Sequence, residues 1–414
     1  MSIQLNAILA TPVMRAQQQQ TTYLRIGLVG EHSSIANKAL VNVTMIIDKS
    51  ASMQGKKMAC AKEATALMID QLRQDDVIAI VTYDHHADIL LPARIATEDT
   101  SRLKTSLQQL SAGGQTALFN GIETAAREIR KFWDRDRVNR LILLSDGLAN
   151  VGLCSPEEFG ALANTLSQEN IAITTIGLGL GYNEDLMTQL ARQSDGNHAF
   201  AEQGINLTSI FNNEFKEICA VIAQEVNVTI LCMEGVRPLR VLGRDAQIQG
   251  TKVAVKLNQL YSEQEKYILL ELEVSAFPVK PEVILAGVAV VYRNMSTHLT
   301  ERLSCKIAAT FTDSLVGHQA NAMVMSAVAE QLAAEKNNLA IQLRDQGKIA
   351  EAQQLLWDNA RCLAEESAQY HSRTLQDLHQ NSLLAAQHLD PQNWQRQRKL
   401  MREQLYKITH QQKY

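Results

Sequence analysis

Between residues 41 and about 215 the chain alternates short apolar runs with stretches of helical spacing. That alternation is the mark of a parallel sheet covered by helices on both faces. Val41–Ile47, Val77–Tyr83, Asn139–Leu144 and Ile171–Ile176 are β-branched or leucine-rich, as strands buried on both sides require. Between them Lys56–Leu72 sets Ala61, Ala64, Met68 and Leu72 on one face at spacings of three and four. Leu118–Trp133 and Pro156–Gln168 read as helices too, the second opening with Ser155 as a cap and Pro156 at the first helical position. The pattern predicts an α/β, doubly wound, mostly parallel sheet.

From about Glu225 to Thr312 the period falls to two, as in Val226-Val228-Ile230, Val253-Val255-Leu257 and Leu270-Leu272-Val274. That argues for an antiparallel β-sandwich. Two comparable strands, Gln4–Leu9 and Tyr23–Val29, flank the polar Gln17–Gln20 stretch. They are expected to pair with the later sheet, which makes the α/β domain an insertion within the sandwich. After Asp313 the chain turns alanine-, leucine- and glutamine-rich and suggests a helical hairpin, Ala320–Gln346 followed by Ile349–Leu378. The turn Gly347–Ala352 has a loose likeness to a tetratricopeptide turn, but a single pass is not an array. The expected divisions are 1–40, 41–218, 219–312 and a helical end with a basic tail at 313–414. Arg396, Arg398, Lys399, Arg402, Lys407 and Lys413 make up that tail, read as a solvated face or, less simply, as a site for an acidic partner.

Composition narrows the classes. With 46% hydrophobic and 20% charged residues over 414 positions the chain has ample material for a core. A net charge of -4 excludes a broadly basic nucleic-acid binder. No apolar run reaches the roughly 20 residues of a membrane span, and Met1–Asn6 lacks the basic lead of a secretory signal. The six cysteines are scattered without a C-x-x-C pair, which suits free thiols in a reducing compartment. A cytoplasmic location follows as the expectation.

The chemistry concentrates where the first buried run ends. Asp48, Ser50 and Ser52 place one carboxylate and two hydroxyls two residues apart at a strand-to-helix junction. Hard oxygens at that density suit Mg²⁺ or Mn²⁺ rather than zinc. The plainer alternative is that Ser50 or Ser52 caps the following helix. If a metal site forms, further oxygens should appear on other loops at the same sheet edge, where doubly wound folds collect ligands. Ser111–Thr116 is a glycine-rich loop presenting the Thr116 hydroxyl, and Leu143–Gly147 ends a buried strand in Asp146.

These segments together resemble a von Willebrand factor type A domain. That family's metal ion-dependent adhesion site reads D-x-S-x-S, then a threonine on the next loop, then an aspartate after the fourth strand. All five positions, Asp48, Ser50, Ser52, Thr116 and Asp146, are present here in that order. Tyr182–Leu186 is similar to bacterial and inter-alpha-trypsin-inhibitor-heavy-chain-like members, and Ala51, where glycine is commoner, removes no ligand. The resemblance implies bound Mg²⁺ (Mn²⁺ or Ca²⁺ possible) and an open coordination position taken by a glutamate or aspartate of a protein partner. It also implies that a shift of Asp146 to indirect contact, with Thr116 moving to direct contact, leaves the ion more electrophilic. Intracellular bacterial relatives act as adaptors beside AAA+ ATPases or in kinase and phosphatase signalling sets. No residue here selects either.

Rival readings are weaker. Gly177–Gly181 invites a nucleotide-binding loop, but the last glycine of the fingerprint is missing and Glu184 and Asp185 would repel phosphate. A structural loop accounts for it better. His85 and His86 read as exposed loop residues that could line a docking rim. A Mg²⁺-dependent hydrolase or phosphotransferase is the rival from another class. Yet the position two after Asp48 is Ser50, and no G-x-S-x-G elbow is present. The expectation is a binding module and not an enzyme, without nucleic-acid or membrane partners.

Overall fold

The computed structural model describes residues 3–32, 39–96, 101–202, 206–314 and 319–412, with only the backbone of 101–103. Two units emerge. One draws its described residues from 33–224 and 295–298, the other from 1–32, 225–294 and 299–413.

The chain begins with β1 (Ile3–Leu9), β2 (Val13–Arg15) and β3 (Gln20–Gly30) and then enters the α/β unit. That unit is built on β4 (Leu40–Asp48), β5 (Val77–Tyr83), β6 (Ala87–Ile95), β7 (Arg137–Ser145), β8 (Ile171–Leu178) and β9 (His198–Ala201). The spatial order is β6-β5-β4-β7-β8-β9, parallel except for the antiparallel edge strand β6. The expected doubly wound sheet is therefore present. β6 escaped the sequence pattern because it is an edge strand with exposed Ile89 and Ile95, a proline and two register shifts.

Helices α1 (Lys56–Gln71), α2 (Ser101–Gln108), α3 (Leu118–Arg130), α4 (Pro156–Gln168), α5 (Glu184–Ser194) and α6 (Leu207–Cys219) complete the unit. α3 buries Leu118, Ile122, Ala125 and Ile129, one stripe at helical spacing. α4 starts with a capping box. Ser155 accepts from the Glu158 N–H at 3.2 Å and donates its own N–H to the Glu158 carboxylate at 3.1 Å. A polar cluster is sealed within the unit: Arg140, fully buried, lies 3.4 Å from Glu214, which also accepts from Thr174 and from Asn197. Burying such charges is tolerated only when they are mutually satisfied.

The second unit continues with β10 (Val221–Cys232), β11 (Val236–Leu242), β12 (Gln247–Gln249), β13 (Lys252–Tyr261), β14 (Glu265–Val274), β15 (Lys280–Asn294) and β16 (Thr300–Thr312). They form two largely antiparallel sheets, β1-β3-β14-β11 and β12-β13-β10-β15-β16-β2. β3 pairs with β14 over the register Val29↔Glu265 to Gln20↔Val274, so the N-terminal strands join the later sheet across the insertion. Alternate residues Leu24, Ile26, Leu28 and Val253, Val255, Leu257 are buried, the period-two signature read in the sequence.

Instead of a hairpin and tail, the C-terminal region holds four helices: α7 (Ala322–Asp345), α8 (Ile349–Tyr370), α9 (Arg373–Gln387) and α10 (Pro391–His410). The second predicted helix breaks because His371 adopts φ +52° and Ser372 caps α9 by accepting from the Leu375 N–H. At the first break Lys348 N–H bonds the Leu343 carbonyl and Gly347 N–H the Arg344 carbonyl, with Gly347 at φ +81°. That is the glycine-terminated helix end whose backbone needs a positive φ. The basic tail is not a solvated arm. Within α10, Lys399, Met401 and Tyr406 are buried, Arg398 pairs with Asp345 at 2.8 Å and Lys407 with Glu403 at 2.9 Å. Lys413, like Met1 and Ser2, lies outside the described residues.

Candidate metal centre

β4 and β7 are neighbours in register, so they deliver Asp48 and Asp146 to the same edge of the sheet. Asp48 is the last residue of β4, and Asp146 follows Ser145, the last of β7. Both are buried, as are Ser50 and Thr116, whereas Ser52 is exposed.

A chain of hydrogen bonds joins four of the five expected donors. Ser50 N–H donates to Asp48 Oδ1 at 2.8 Å, the Ser50 and Ser52 hydroxyls lie 3.1 Å apart, and Ser52 Oγ donates to Asp146 Oδ1 at 2.7 Å. Thr116 arrives on the glycine loop, which is sewn to the first motif by Ala51 N–H on the Gly114 carbonyl and Gly113 N–H on the Lys49 carbonyl. The Asn150 side-chain oxygen accepts from the Thr116 N–H at 2.9 Å, while the backbone N–H of Asn150 donates to the Thr116 carbonyl. Gly147 provides the space: a Cβ there would stand 3.3 Å from Thr116 Oγ1 and 3.6 Å from Ser52 Oγ. The structure thus brings all five residues to one place.

The helix-cap alternative for the serines fails on geometry. The N-cap of α1 is Gly55, and Ser50, which precedes a short 3₁₀ turn at Ala51–Met53, makes no side-chain capping bond.

The electrostatics follow from burial. Desolvation holds the Asp48 carboxyl above its ordinary range, the hydrogen bonds from Ser50 oppose this, and the nearby Asp146 adds repulsion. Asp48 Oδ2 accepts from the Tyr83 hydroxyl at 3.1 Å and the Ser145 hydroxyl at 3.0 Å. Burial, then the charge of Asp48, pushes the Tyr83 phenol far up, so it stays a donor. Beside this cluster Lys49 bridges Asp84 at 2.9 Å and Asp88 at 3.1 Å. Against the desolvation of its position, the His86 N–H and Lys49 hold Asp84 below its usual value. His85 and His86 are exposed at this rim, His85 at 3.3 Å from Asp84.

One participant was not foreseen. Lys57 Nζ sits 2.5 Å from Asp146 Oδ2. A signal was available in the sequence: α1 opens with two lysines and no acidic residue in its first turn, contrary to the preference of a helix N-terminus for negative charge. Tyr83 and Ser145, at the ends of their strands, carried no such signal.

The donor set is chemically suited to a hard divalent ion. Two carboxylates balance its charge and three hydroxyls add neutral oxygens. Among the described residues no group of three or more His, Cys, Asp or Glu is arranged to hold a metal. The glycines of the 177–181 loop serve close packing. A Cβ at Gly177 would enter the Tyr182 ring, and one at Gly181 would meet the Asp146 carbonyl at 2.8 Å.

Residues 42–213 match the family model described as von Willebrand factor type A domain. This region has the von Willebrand factor type A fold. The type A region and what flanks it are similar in fold to a solved von Willebrand factor type A protein from Catenulispora acidiphila. That match has a TM-score of 0.75 at 17% identity and covers 94% of this chain and 90% of that one. The ArnB paralog VWA2 from Sulfolobus acidocaldarius gives a TM-score of 0.68 at 16% identity, covering 99% and 98%. By sequence the chain is similar to the uncharacterized protein YfbK of Escherichia coli, 26% identical over 51% of this chain and 37% of that protein. It is also similar to the uncharacterized protein sll0103 of Synechocystis, 24% identical over 60% and 61% respectively. The matches thus span less than two thirds of these relatives' own lengths. Type A domains are protein-interaction and adhesion modules, often metal-dependent, and commonly bind a divalent metal. No helix among the described residues is long and apolar enough to cross a membrane.

Proposed function

We propose that this chain is a metal-dependent protein-interaction module. Asp48, Ser50, Ser52, Thr116 and Asp146 hold Mg²⁺, with Mn²⁺ or Ca²⁺ able to take the same oxygens, and the ion accepts a glutamate or aspartate from a partner protein. The observation that carries this reading is the hydrogen-bonded run from Asp48 through Ser50 and Ser52 to Asp146, two buried carboxylates linked by hydroxyls at one sheet edge. When bound, the ion supplies Lewis acidity toward an incoming carboxylate. Tyr83 and Ser145 fix Asp48, and Asn150 fixes Thr116, the kind of support that orients metal ligands. Beside Asp146, Leu148 and Leu153 stand exposed on the loop that Asn150 anchors, giving a docking face an apolar margin.

The role is that of an adaptor and not an enzyme, acting in the cytoplasm, with an AAA+ ATPase or a kinase and phosphatase set as candidate company. The test is retention of partners by immobilised protein with Mg²⁺ and with EDTA, comparing wild type and Asp48→Ala. Partners lost both in EDTA and in the variant support the reading. Retention indifferent to both would sink it, as would Mg²⁺-dependent phosphate-ester hydrolysis abolished by Asp146→Ala.

A further inference from the structure

We infer that Lys57 is a tethered cation that competes with the divalent ion for Asp146 and so sets the metal affinity of the site. The inference rests on the metal reading above. Asp146 has a fully buried side chain, and its two oxygens are divided: Oδ1 takes the Ser52 hydroxyl at 2.7 Å and Oδ2 the Lys57 ammonium at 2.5 Å. The ammonium therefore occupies one of the two oxygens through which Asp146 would meet a metal. A monovalent and a divalent cation on the same oxygen of this buried carboxylate repel each other at contact distance.

Three further features fit a movable counter-charge better than a fixed strut. Lys57 lies in the first turn of α1, where the helix field disfavours a cation, so the position costs free energy that Asp146 has to offset. Its side chain keeps 33% of its surface exposed, leaving a route outward. Gly179, at φ +67°, opens the slot it lies in, since a Cβ there would stand 3.2 Å from Lys57 Cε and 3.4 Å from Nζ. An ion engaging Asp146 directly would send the ammonium outward. There it would join the rim as a basic group beside the ion, favouring an acidic partner over other occupants.

The experiment measures Mg²⁺ binding by calorimetry in wild type, Lys57→Gln and Lys57→Arg. Glutamine keeps a donor near Asp146 but removes the charge, and binding should tighten about tenfold. Arginine keeps the charge and should stay within about threefold of wild type. Weaker or unchanged binding in Lys57→Gln makes Lys57 a supporting ligand-orienting residue and overturns the inference. Wild type that binds no Mg²⁺ overturns the metal reading itself, a distinct result. Should Lys57→Gln fail to fold, amine labelling of Lys57 in wild type decides. Labelling that rises severalfold with Mg²⁺ supports displacement, and labelling that does not change refutes it.

Discussion

Ser52 Oγ donates to Asp146 Oδ1 across 94 positions of sequence at 2.7 Å, the bond that ties the first motif to the last. Ser52→Ala leaves the Lys57 ion pair in place but frees Oδ1 and removes one neutral oxygen. Mg²⁺ affinity is expected to fall about tenfold or more, and chemical denaturation in EDTA should show a loss of about 1–3 kcal/mol, because the buried Asp146 Oδ1 loses its donor.

Tyr83→Phe keeps the ring that fills the space beneath Gly121 and deletes only the hydroxyl on Asp48 Oδ2, with Ser145 left to hold that oxygen. Calorimetry should show metal binding weakened by roughly tenfold and chemical denaturation a loss of about 1 kcal/mol. Metal binding equal to wild type would remove Tyr83 from the support of the site.

Glu214 faces the buried Arg140 at 3.4 Å. Taking its carboxylate away with Glu214→Ala is expected to cost about 3–5 kcal/mol in denaturant unfolding. The double change Arg140→Met with Glu214→Leu should cost clearly less than the sum of the two single changes, because neither charge is then left behind.

Burial raises the Glu330 carboxyl above its ordinary value, with the Tyr267 hydroxyl and Arg25 pulling the other way. A carboxyl whose pKa rises on folding stabilises the folded state when protonated. That contribution is complete below the unfolded value and disappears as pH climbs through the folded one. Glu330→Gln escapes the loss, so its melting temperature relative to wild type should improve from about pH 4 toward pH 7. A difference that is flat with pH would contradict the buried-carboxyl account.

The α/β unit was legible because its strands are buried on both faces and its helices carry stripes. Val77–Tyr83 and Pro156–Gln168 match the observed β5 and α4 end to end. Edge and connecting elements were not. β6 mixes exposed Ile89 and Ile95 with Pro92, so neither periodicity appears. The helical end misled for a related reason. A break at His371 needs only one left-handed residue and a serine cap, and Arg398 of α10 finds Asp345 in space rather than in sequence. Of the candidate site, Asp48, Ser50 and Ser52 stood out by their spacing, and the family resemblance added Thr116 and Asp146. The groups that hold them, Tyr83, Ser145 and Asn150, did not stand out, since phenols, hydroxyls and amides at strand ends and in loops carry no periodic mark.

The pairing of β3 with β14 has a consequence for synthesis. Arg25 meets Glu265 at a separation of 240 residues, so on the ribosome the first hairpin must wait with an open edge while the whole type A domain is made. An exposed strand edge is a template for unwanted pairing. Early completion of the inserted domain, which is closed by its own contacts, limits what that edge can meet. Slowing translation between the two segments should therefore leave yield high only if the inserted domain folds first.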